Sequence, residues 1–110
     1  MVALSTRAKK IAGDYVKSLP TWIKVERAFL FGSAARGNMS RHSDIDLIII
    51  SNQFKKMNLI ERLKFLSHLR SDKFIHVPMD ILGYTKTEFD KLTKVSDMFA
   101  EAKKEAVKIE

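Results

Sequence analysis

The stretch from Gly32 to Leu47 reads Gly-Ser-Ala-Ala-Arg-Gly-Asn-Met-Ser-Arg-His-Ser-Asp-Ile-Asp-Leu, and it decides the fold. A Gly-Ser pair opens it, and ten residues later two aspartates spaced i, i+2 stand at the head of an apolar run. The segment before it, Val25 to Phe31, is strand-like, and Leu47 to Ile50 is rich in β-branched residues. The pattern therefore predicts a strand, a Gly-Ser turn, a short basic connection, and a second strand that begins with paired carboxylates.

The rest of the chain predicts one helix before this core and a third strand after it. Apolar residues recur at i, i+3 and i+4 over residues 3–19, and Pro20 ends that helix. The third strand is predicted over about 74–82. Two further helices, whose starts are given below, complete the predicted order α-β-β-α-β-α. The sequence shows neither an internal repeat nor a linker between domains. This order predicts a single domain over residues 1–110, of the α/β or α+β two-layer class.

Two capping boxes predict the starts of two further helices. Asn58 with Glu61 opens a helix that runs to about Arg70, and Thr85 with Glu88 opens one that continues to the C-terminus. The apolar face predicted for the first is Leu59, Ile60, Leu63, Leu66 and Leu69. The apolar stripe predicted for the second is Phe89, Leu92, Val95, Phe99, Ala102 and Ala106, which either packs on the sheet or binds a partner.

The paired aspartates predict a metal site. Successive strand residues point to opposite faces, so Asp44 and Asp46 share one face, with Cα atoms roughly 6.6 Å apart. Two carboxylates on one face repel each other unless a cation neutralises them, and hard oxygen ligands favour Mg²⁺ or Mn²⁺. The alternative is a pair of exposed aspartates at the end of a strand, and the Gly-Ser pair at the matching distance favours the metal site.

The Gly-Ser pair predicts an anion-binding turn. Gly32 permits a tight turn and a close approach of the backbone to a ligand. A helix beginning at Ser33 would direct free N–H groups at an anion, and the serine hydroxyl adds a donor. Gly-Ser turns are common by themselves, so the interpretation depends on the pairing with Asp44 and Asp46.

Together these residues resemble the signature of nucleotidyltransferases related to DNA polymerase β, and most closely the minimal nucleotidyltransferases of bacteria and archaea. The resemblance covers about Val25 to Leu82. It implies a polymerase β-like palm, in which a small mixed sheet packs against helices. It also implies that Gly32 and Ser33 hold the β- and γ-phosphates of an incoming nucleotide, with ATP as the usual substrate.

The resemblance implies a third carboxylate from a later strand, and Asp80 matches it. Alternation on the predicted strand places Asp80 opposite in facing to Met79 and Ile81. The alternative is an exposed edge position, which Pro78 would also suit. In the family reaction, Asp44 and Asp46 would hold two Mg²⁺ ions, and Asp80 would act as general base or as a metal ligand.

Two arginines near the motif are candidates for phosphate contacts. Arg36 and Arg41 lie between the Gly-Ser pair and the aspartates, and the arginine fork suits bidentate phosphate recognition. Either side chain would equally suit a solvated loop.

Composition limits the other classes of function. The chain has no cysteine, which excludes disulfides and thiolate metal sites and is typical of a cytoplasmic protein. No apolar stretch approaches the roughly 20 residues of a membrane span. The net charge of +7 attracts nucleic acid, nucleotide phosphates or an acidic protein, but its spread along the helices disfavours nucleic acid as the main partner.

The resemblance also implies a partner. A catalytic palm of 110 residues would present a shallow site that a second chain, in a homo- or hetero-oligomer, completes. In the minimal family that chain is commonly a HEPN-domain toxin, and the transferase acts as antitoxin by adding AMP to a tyrosine of the toxin. The alternatives are an antitoxin that neutralises by binding alone, a transferase for small hydroxyl compounds such as aminoglycosides, and a nucleic-acid-binding protein.

Overall fold

The structure, a computed structural model, describes residues 2–31, 45–69, 79–105 and 107–109. These residues form four α-helices, four strands and one 3₁₀ helix. In chain order they are α1 (Val2–Ser18), β1 (Arg27–Phe31), β2 (Ile45–Ile50), the 3₁₀ helix (Asn52–Lys56), α2 (Leu59–His68), β3 (Met79–Tyr84), α3 (Lys86–Val95), α4 (Asp97–Glu105) and β4 (Val107–Ile109).

The four strands form one mixed sheet in the order β3-β2-β1-β4. β1 pairs antiparallel with both β2 and β4, whereas β2 and β3 run parallel. A parallel pair requires a crossover connection, and α2 lies in the segment that joins β2 to β3. The predicted fold class, a small mixed sheet packed against helices, is confirmed.

The two faces of the sheet are covered differently. The core face packs against α1, the 3₁₀ helix and α2, and consists of Ala28, Leu30, Ile45, Leu47, Ile49, Met79 and Ile81. The carboxylate face packs in part against α3 and α4, and consists of Phe29, Phe31, Asp46, Ile48, Ile50, Asp80, Leu82 and Tyr84. Strand alternation separates the two sets of side chains.

A buried tyrosine joins the two helices of the core face. The hydroxyl of Tyr15 on α1 donates a hydrogen bond of 2.7 Å to the carbonyl of Leu66 on α2. Both side chains are fully buried. The contact spans 51 residues of sequence, so it fixes α1 to α2 on the sheet.

Both predicted capping boxes are present. The side chain of Asn58 accepts from the Glu61 amide at 2.8 Å, and the Glu61 carboxylate accepts from the Asn58 amide at 2.9 Å. Thr85 and Glu88 form the same reciprocal pair at the start of α3. Each box satisfies amide groups that the first turn of a helix leaves unpaired.

The predicted apolar face of α2 is partly wrong. Of that face, Leu66 is buried, but Leu59, Ile60 and Leu63 are exposed, and the side chain that is buried in their place is Arg62. The Arg62 guanidinium is satisfied there because it donates to the carbonyl of Gly83 at 3.2 Å and binds both carboxylate oxygens of Glu88, at 2.6 and 3.0 Å. Helix α2 is therefore oriented so that Arg62 is buried and much of the predicted apolar stripe faces solvent.

The predicted single helix at the C-terminus is also wrong. It divides at Ser96, whose backbone is extended, with φ −126° and ψ 117°. The Ser96 hydroxyl accepts from the Phe99 amide and so begins a new helix, α4, and Val95 is left exposed. The chain then forms β4, a strand that the sequence pattern did not predict. Ala106 lies outside the described residues.

The remaining predicted elements agree with the structure to within a few residues. α1, β1 and β2 lie where the spacing predicts them. β3 ends two residues later than predicted, and residues 70–78 lie outside the described part of the chain. No helix within the described residues combines the length and apolar character needed to cross a bilayer.

Candidate active site

The parallel pairing of β2 and β3 brings two predicted carboxylates together. Asp46 is the register partner of Asp80, although 34 residues separate them. Neighbouring strands lie about 4.8 Å apart, so these two side chains leave the same face from adjacent backbone positions. The structure therefore brings Asp46 and Asp80 to one site.

Alternation along each strand sets the direction of both carboxylates. On β2, Ile45 and Leu47 are buried in the core face, and Asp46 between them is half-buried on the opposite face. On β3, Met79 and Ile81 are buried and Asp80 is exposed, which is the alternation that the sequence predicts. Each carboxylate belongs to the second residue of its strand, so both lie at the end of the sheet where β2 and β3 begin.

The two carboxylates open onto a cavity with apolar walls. It has a volume of about 200 Å³ and is lined by Phe31, Asp46, Leu47, Ile48, Asp80, Leu82 and Phe99. Apolar walls lower the local dielectric constant, which strengthens both the repulsion between like charges and their attraction to a cation. The arrangement favours a bound cation, or a cationic ligand, between the two carboxylates.

The cavity is lined by Phe31, the residue that precedes the Gly-Ser pair in the sequence. Phe31, the last described residue before the motif, is the register partner of Asp46 on β1. Five predicted site residues, namely Gly32, Ser33, Arg36, Arg41 and Asp44, lie outside the described residues. Their roles stay predictions.

The described residues fit a divalent metal of the hard class. Asp46 and Asp80 present carboxylate oxygens, which are the donors that Mg²⁺ and Mn²⁺ prefer. No group of three or more histidine, cysteine or acidic side chains meets within the described part of the chain. Asp44, which is predicted to pair with Asp46 as a ligand, immediately precedes the first residue of β2 and lies outside the described residues.

Comparison with known proteins identifies the family to which this fold belongs. The sequence pattern of the nucleotidyltransferase domain family matches residues 9–107, which run from within α1 to the first residue of β4. The chain belongs to this family. The match extends beyond the range Val25 to Leu82 covered by the sequence resemblance, and it includes the second half of α1 and all of α3 and α4.

A solved structure is similar to this nucleotidyltransferase domain. It is the crystal structure of a Sulfolobus solfataricus protein provisionally described as a nucleotidyltransferase. The two chains share 26% identity with a TM-score of 0.62, over 79% of this chain and 75% of the other. No curated protein matches the chain significantly.

Sequence analysis missed the apolar lining of the cavity beside Asp46 and Asp80. The sequence pattern assigns Phe31 and Leu82 only to strands, and it assigns Phe99 only to a helical stripe. Strand alternation carries the signal for Phe31 and Leu82. Leu82 lies two positions after Asp80 on β3, and Phe31 lies two positions after Phe29 on β1, so each pair shares the carboxylate face. Phe99 reaches the cavity because α4 is a separate helix that begins after Ser96.

A second polar cluster holds the far end of β3. Besides the carbonyl of Gly83 and the carboxylate of Glu88, the buried Arg62 contacts the carbonyl of Met57 at 3.0 Å, and its guanidinium lies over the Phe54 ring. The Arg62 hydrogen bonds lower the pKa of Glu88 from its ordinary value. Burial, with the Glu88 charge, raises the pKa of Tyr84. This cluster fixes the strand that carries Asp80, three residues before Gly83.

Proposed function

We propose that this nucleotidyltransferase transfers AMP from ATP to a hydroxyl group of a partner protein. The observation that carries the proposal is the register pairing of Asp46 with Asp80 at an apolar cavity, beside the strand that leads to the Gly-Ser motif. Family membership supplies the class of reaction. Asp44, Asp46 and Asp80 would hold two Mg²⁺ ions.

The proposed step is an in-line displacement at the α-phosphorus of ATP. The acceptor oxygen forms a bond to this phosphorus, and the bond from phosphorus to the oxygen that bridges to the β-phosphate breaks. Pyrophosphate leaves with that electron pair, and the acceptor proton passes to a carboxylate, which we assign to Asp80. Bound Mg²⁺ would lower the pKa of the hydroxyl and neutralise the triphosphate charge.

The other site residues have positioning roles. Gly32 and Ser33 would hold the β- and γ-phosphates, and Arg36 and Arg41 would contact phosphate oxygens. Positioning and charge neutralisation account for most of the rate in phosphoryl transfers.

The acceptor that we propose is a tyrosine of a HEPN-domain toxin, so that the protein acts as a cytoplasmic antitoxin. The toxin partner follows from the resemblance to minimal nucleotidyltransferases. The cavity supports an aromatic acceptor, because Phe31, Leu82 and Phe99 form apolar walls directly beside the two carboxylates. An aromatic ring would fill these walls while its hydroxyl reaches the carboxylates.

The test is a mass measurement on the protein co-expressed with the protein encoded beside it. The complex is incubated with ATP and Mg²⁺, and intact masses are recorded for both chains. We expect the neighbour to gain the mass of one or more AMP groups, and we expect the gain to disappear in Asp46→Asn and in Asp80→Asn.

Asp90→Asn is the matched control. Asp90 is a half-buried carboxylate on α3 that lines a different cavity, together with Arg27 and Lys103, so this change should leave the transfer intact. A stable complex without any mass gain would overturn the proposal and favour a binding antitoxin. A gain on an added aminoglycoside with none on the neighbour would favour a small-molecule transferase.

A further inference from the structure

Another cavity lies at the far end of the carboxylate face, and we call it the distal cavity. It has a volume of about 360 Å³ and is lined by Glu26, Arg27, Phe29, Ile50, Lys86, Phe89, Asp90 and Lys103. None of these lining residues also lines the cavity of Asp46 and Asp80. Ile50 lies four residues after Asp46 on β2, so roughly 13 Å of strand separates the two cavities.

Three cationic residues converge on the distal cavity from separate elements. Arg27 is the first residue of β1, Lys86 is the first residue of α3, and Lys103 lies in α4. The chain carries other exposed lysines, but these three cations line one concave site, where their electric fields add. Their convergence favours an anionic ligand.

Within the described part of the chain, no ion pair involves any of the three cations. Glu26 also lines the cavity, but it continues the strand ladder by donating its amide to the carbonyl of Ile50 at 2.8 Å. Strand alternation therefore directs the Glu26 carboxylate away from the guanidinium of Arg27, its neighbour in the chain. This leaves the carboxylate of Asp90 to accompany three cations at the cavity, so the positive charge predominates.

The other lining residues indicate what accompanies the anionic group of the ligand. Asp90 is half-buried, and its carboxylate accepts hydrogen bonds, so it suits a hydroxyl group of the ligand. Phe29 is half-buried, stacks on Phe89 with 5.8 Å between the ring centroids, and forms an apolar wall with Ile50. The cavity thus combines cations, one acceptor for a hydroxyl group and one apolar wall.

We propose that the distal cavity binds a small phosphate monoester that carries hydroxyl groups, either a sugar phosphate or a nucleoside monophosphate. The phosphate has about two negative charges at pH 7, and it would contact the Arg27 fork and both lysines, while a hydroxyl donates to Asp90. The cavity volume lies within the range of roughly 300–1,000 Å³ that is usual for small-molecule sites. Bound there, the ligand would connect β1 with α3 and α4. The inference does not depend on the proposed function.

The test measures the binding of ribose 5-phosphate to the full chain by isothermal titration calorimetry, with EDTA present to remove Mg²⁺. We expect saturable binding that Arg27→Gln and Lys103→Gln each weaken by about tenfold, through the loss of a charge-assisted contact with phosphate. Lys91→Gln is the matched control, because it removes the same charge from an exposed position of α3 that does not line the cavity. It should leave the affinity nearly unchanged.

Two further comparisons identify the parts of the ligand. Asp90→Ala removes the acceptor for the hydroxyl group, so the preference for ribose 5-phosphate over inorganic phosphate should fall in this variant. AMP is then compared with ribose 5-phosphate. Tighter binding of AMP, with the advantage abolished by Phe29→Leu, would assign the site to a nucleotide, whereas equal affinities would assign it to a sugar phosphate. Circular dichroism checks that each variant is folded.

Three results would overturn the inference. The first is the absence of saturable binding of ribose 5-phosphate to the folded wild-type chain. The second is equal affinity of wild type and Arg27→Gln, or a loss in Lys91→Gln as large as that in Lys103→Gln, which would reduce the binding to general charge attraction. The third is a loss in Ser33→Ala with none in Lys103→Gln, which would place the ligand at the predicted phosphate turn of the active site. AMP transfer is not measured in any of these titrations, so their failure would leave the proposed function standing.

Discussion

The two faces of the sheet are built from the same strands, but they differ in what they leave open. On the core face, every described strand side chain is buried under α1, the 3₁₀ helix and α2. On the carboxylate face, Ile48 and Ile50 are buried next to Phe89, whereas Asp46 and Asp80 stand at the open end. The core face therefore stabilises the fold by burial along its length. The carboxylate face leaves Asp46 and Asp80 incompletely buried at one end.

The largest effect should come from the carboxylate face. Asp46→Asn is expected to lower the proposed AMP transfer by roughly 10²–10³-fold, the size of effect that follows the loss of one preorganised electrostatic contact in an enzyme site. Without Mg²⁺ the same change should alter the melting temperature far less than a substitution in the core, because Asp46 is only half-buried. Transfer rates and thermal melts of the same preparation measure both. A lower melting temperature without a loss of rate would make Asp46 a structural residue.

A substitution on the core face should lower the stability of the fold and leave the transfer rate unchanged. Leu66→Ala removes a fully buried side chain from between α1, α2 and the sheet, and it should cost about 2–5 kcal/mol of unfolding free energy. The transfer rate per folded molecule should not change. Leu63→Ala, three residues earlier on the same helix but exposed, should cost less than about 0.5 kcal/mol. Urea denaturation of the three proteins measures the difference, and equal losses for both variants would contradict the assignment of faces.

Gly83 on β3 tests how tightly the core face is packed. A Cβ at Gly83 would lie 2.9 Å from two ring atoms of the buried Phe54 and 3.2 Å from Leu66. Gly83→Ala should therefore destabilise the protein by about 1–3 kcal/mol through overpacking. Phe54→Leu in the same chain should recover part of the loss, which a double-mutant cycle by denaturation would measure. Additive losses would show that contact with the Phe54 ring is not the source of the Gly83→Ala loss.

The smallest effect concerns pH. The hydrogen bonds from Arg62 hold the pKa of Glu88 below its ordinary value of 4.5. A lowered pKa in the folded state adds stability that is present above the unfolded value and is lost as the pH falls through the folded value. Glu88 is 41% exposed, so solvent screening keeps the contribution small. The unfolding free energy of wild type should fall more steeply below about pH 4.5 than that of Glu88→Gln. Parallel pH profiles would contradict this pairing.

Local signals in the sequence predicted the local structure. The strand on each side of the Gly-Ser motif, both capping boxes and the facing of Asp80 all follow from spacing within one element. Each depends on a short-range rule, either strand alternation or the reciprocal bonds of a capping box. The family motif then supplied the type of fold.

Long-range contacts explain what the sequence could not predict. The rotation of α2 depends on Arg62 finding Glu88 and Gly83, which lie more than 20 residues away, and an arginine by itself suggests an exposed position. The division at Ser96 depends on one serine hydroxyl that caps a new helix in the middle of an apolar stripe. The register of Asp46 with Asp80 depends on strand pairing across 34 residues, which no local spacing encodes.

That register has a consequence for how a ligand acts on the whole molecule. Asp46 and Asp80 are neighbours only while β2 and β3 are paired, so an unfolded chain holds no equivalent site. A cation held by Asp46 and Asp80 would bind the native chain selectively, and such binding would stabilise the native state by an amount that grows with the logarithm of the cation concentration. The melting temperature would then rise with free Mg²⁺. Proteolysis of the protein would then slow as the concentrations of the proposed metal and nucleotide rise.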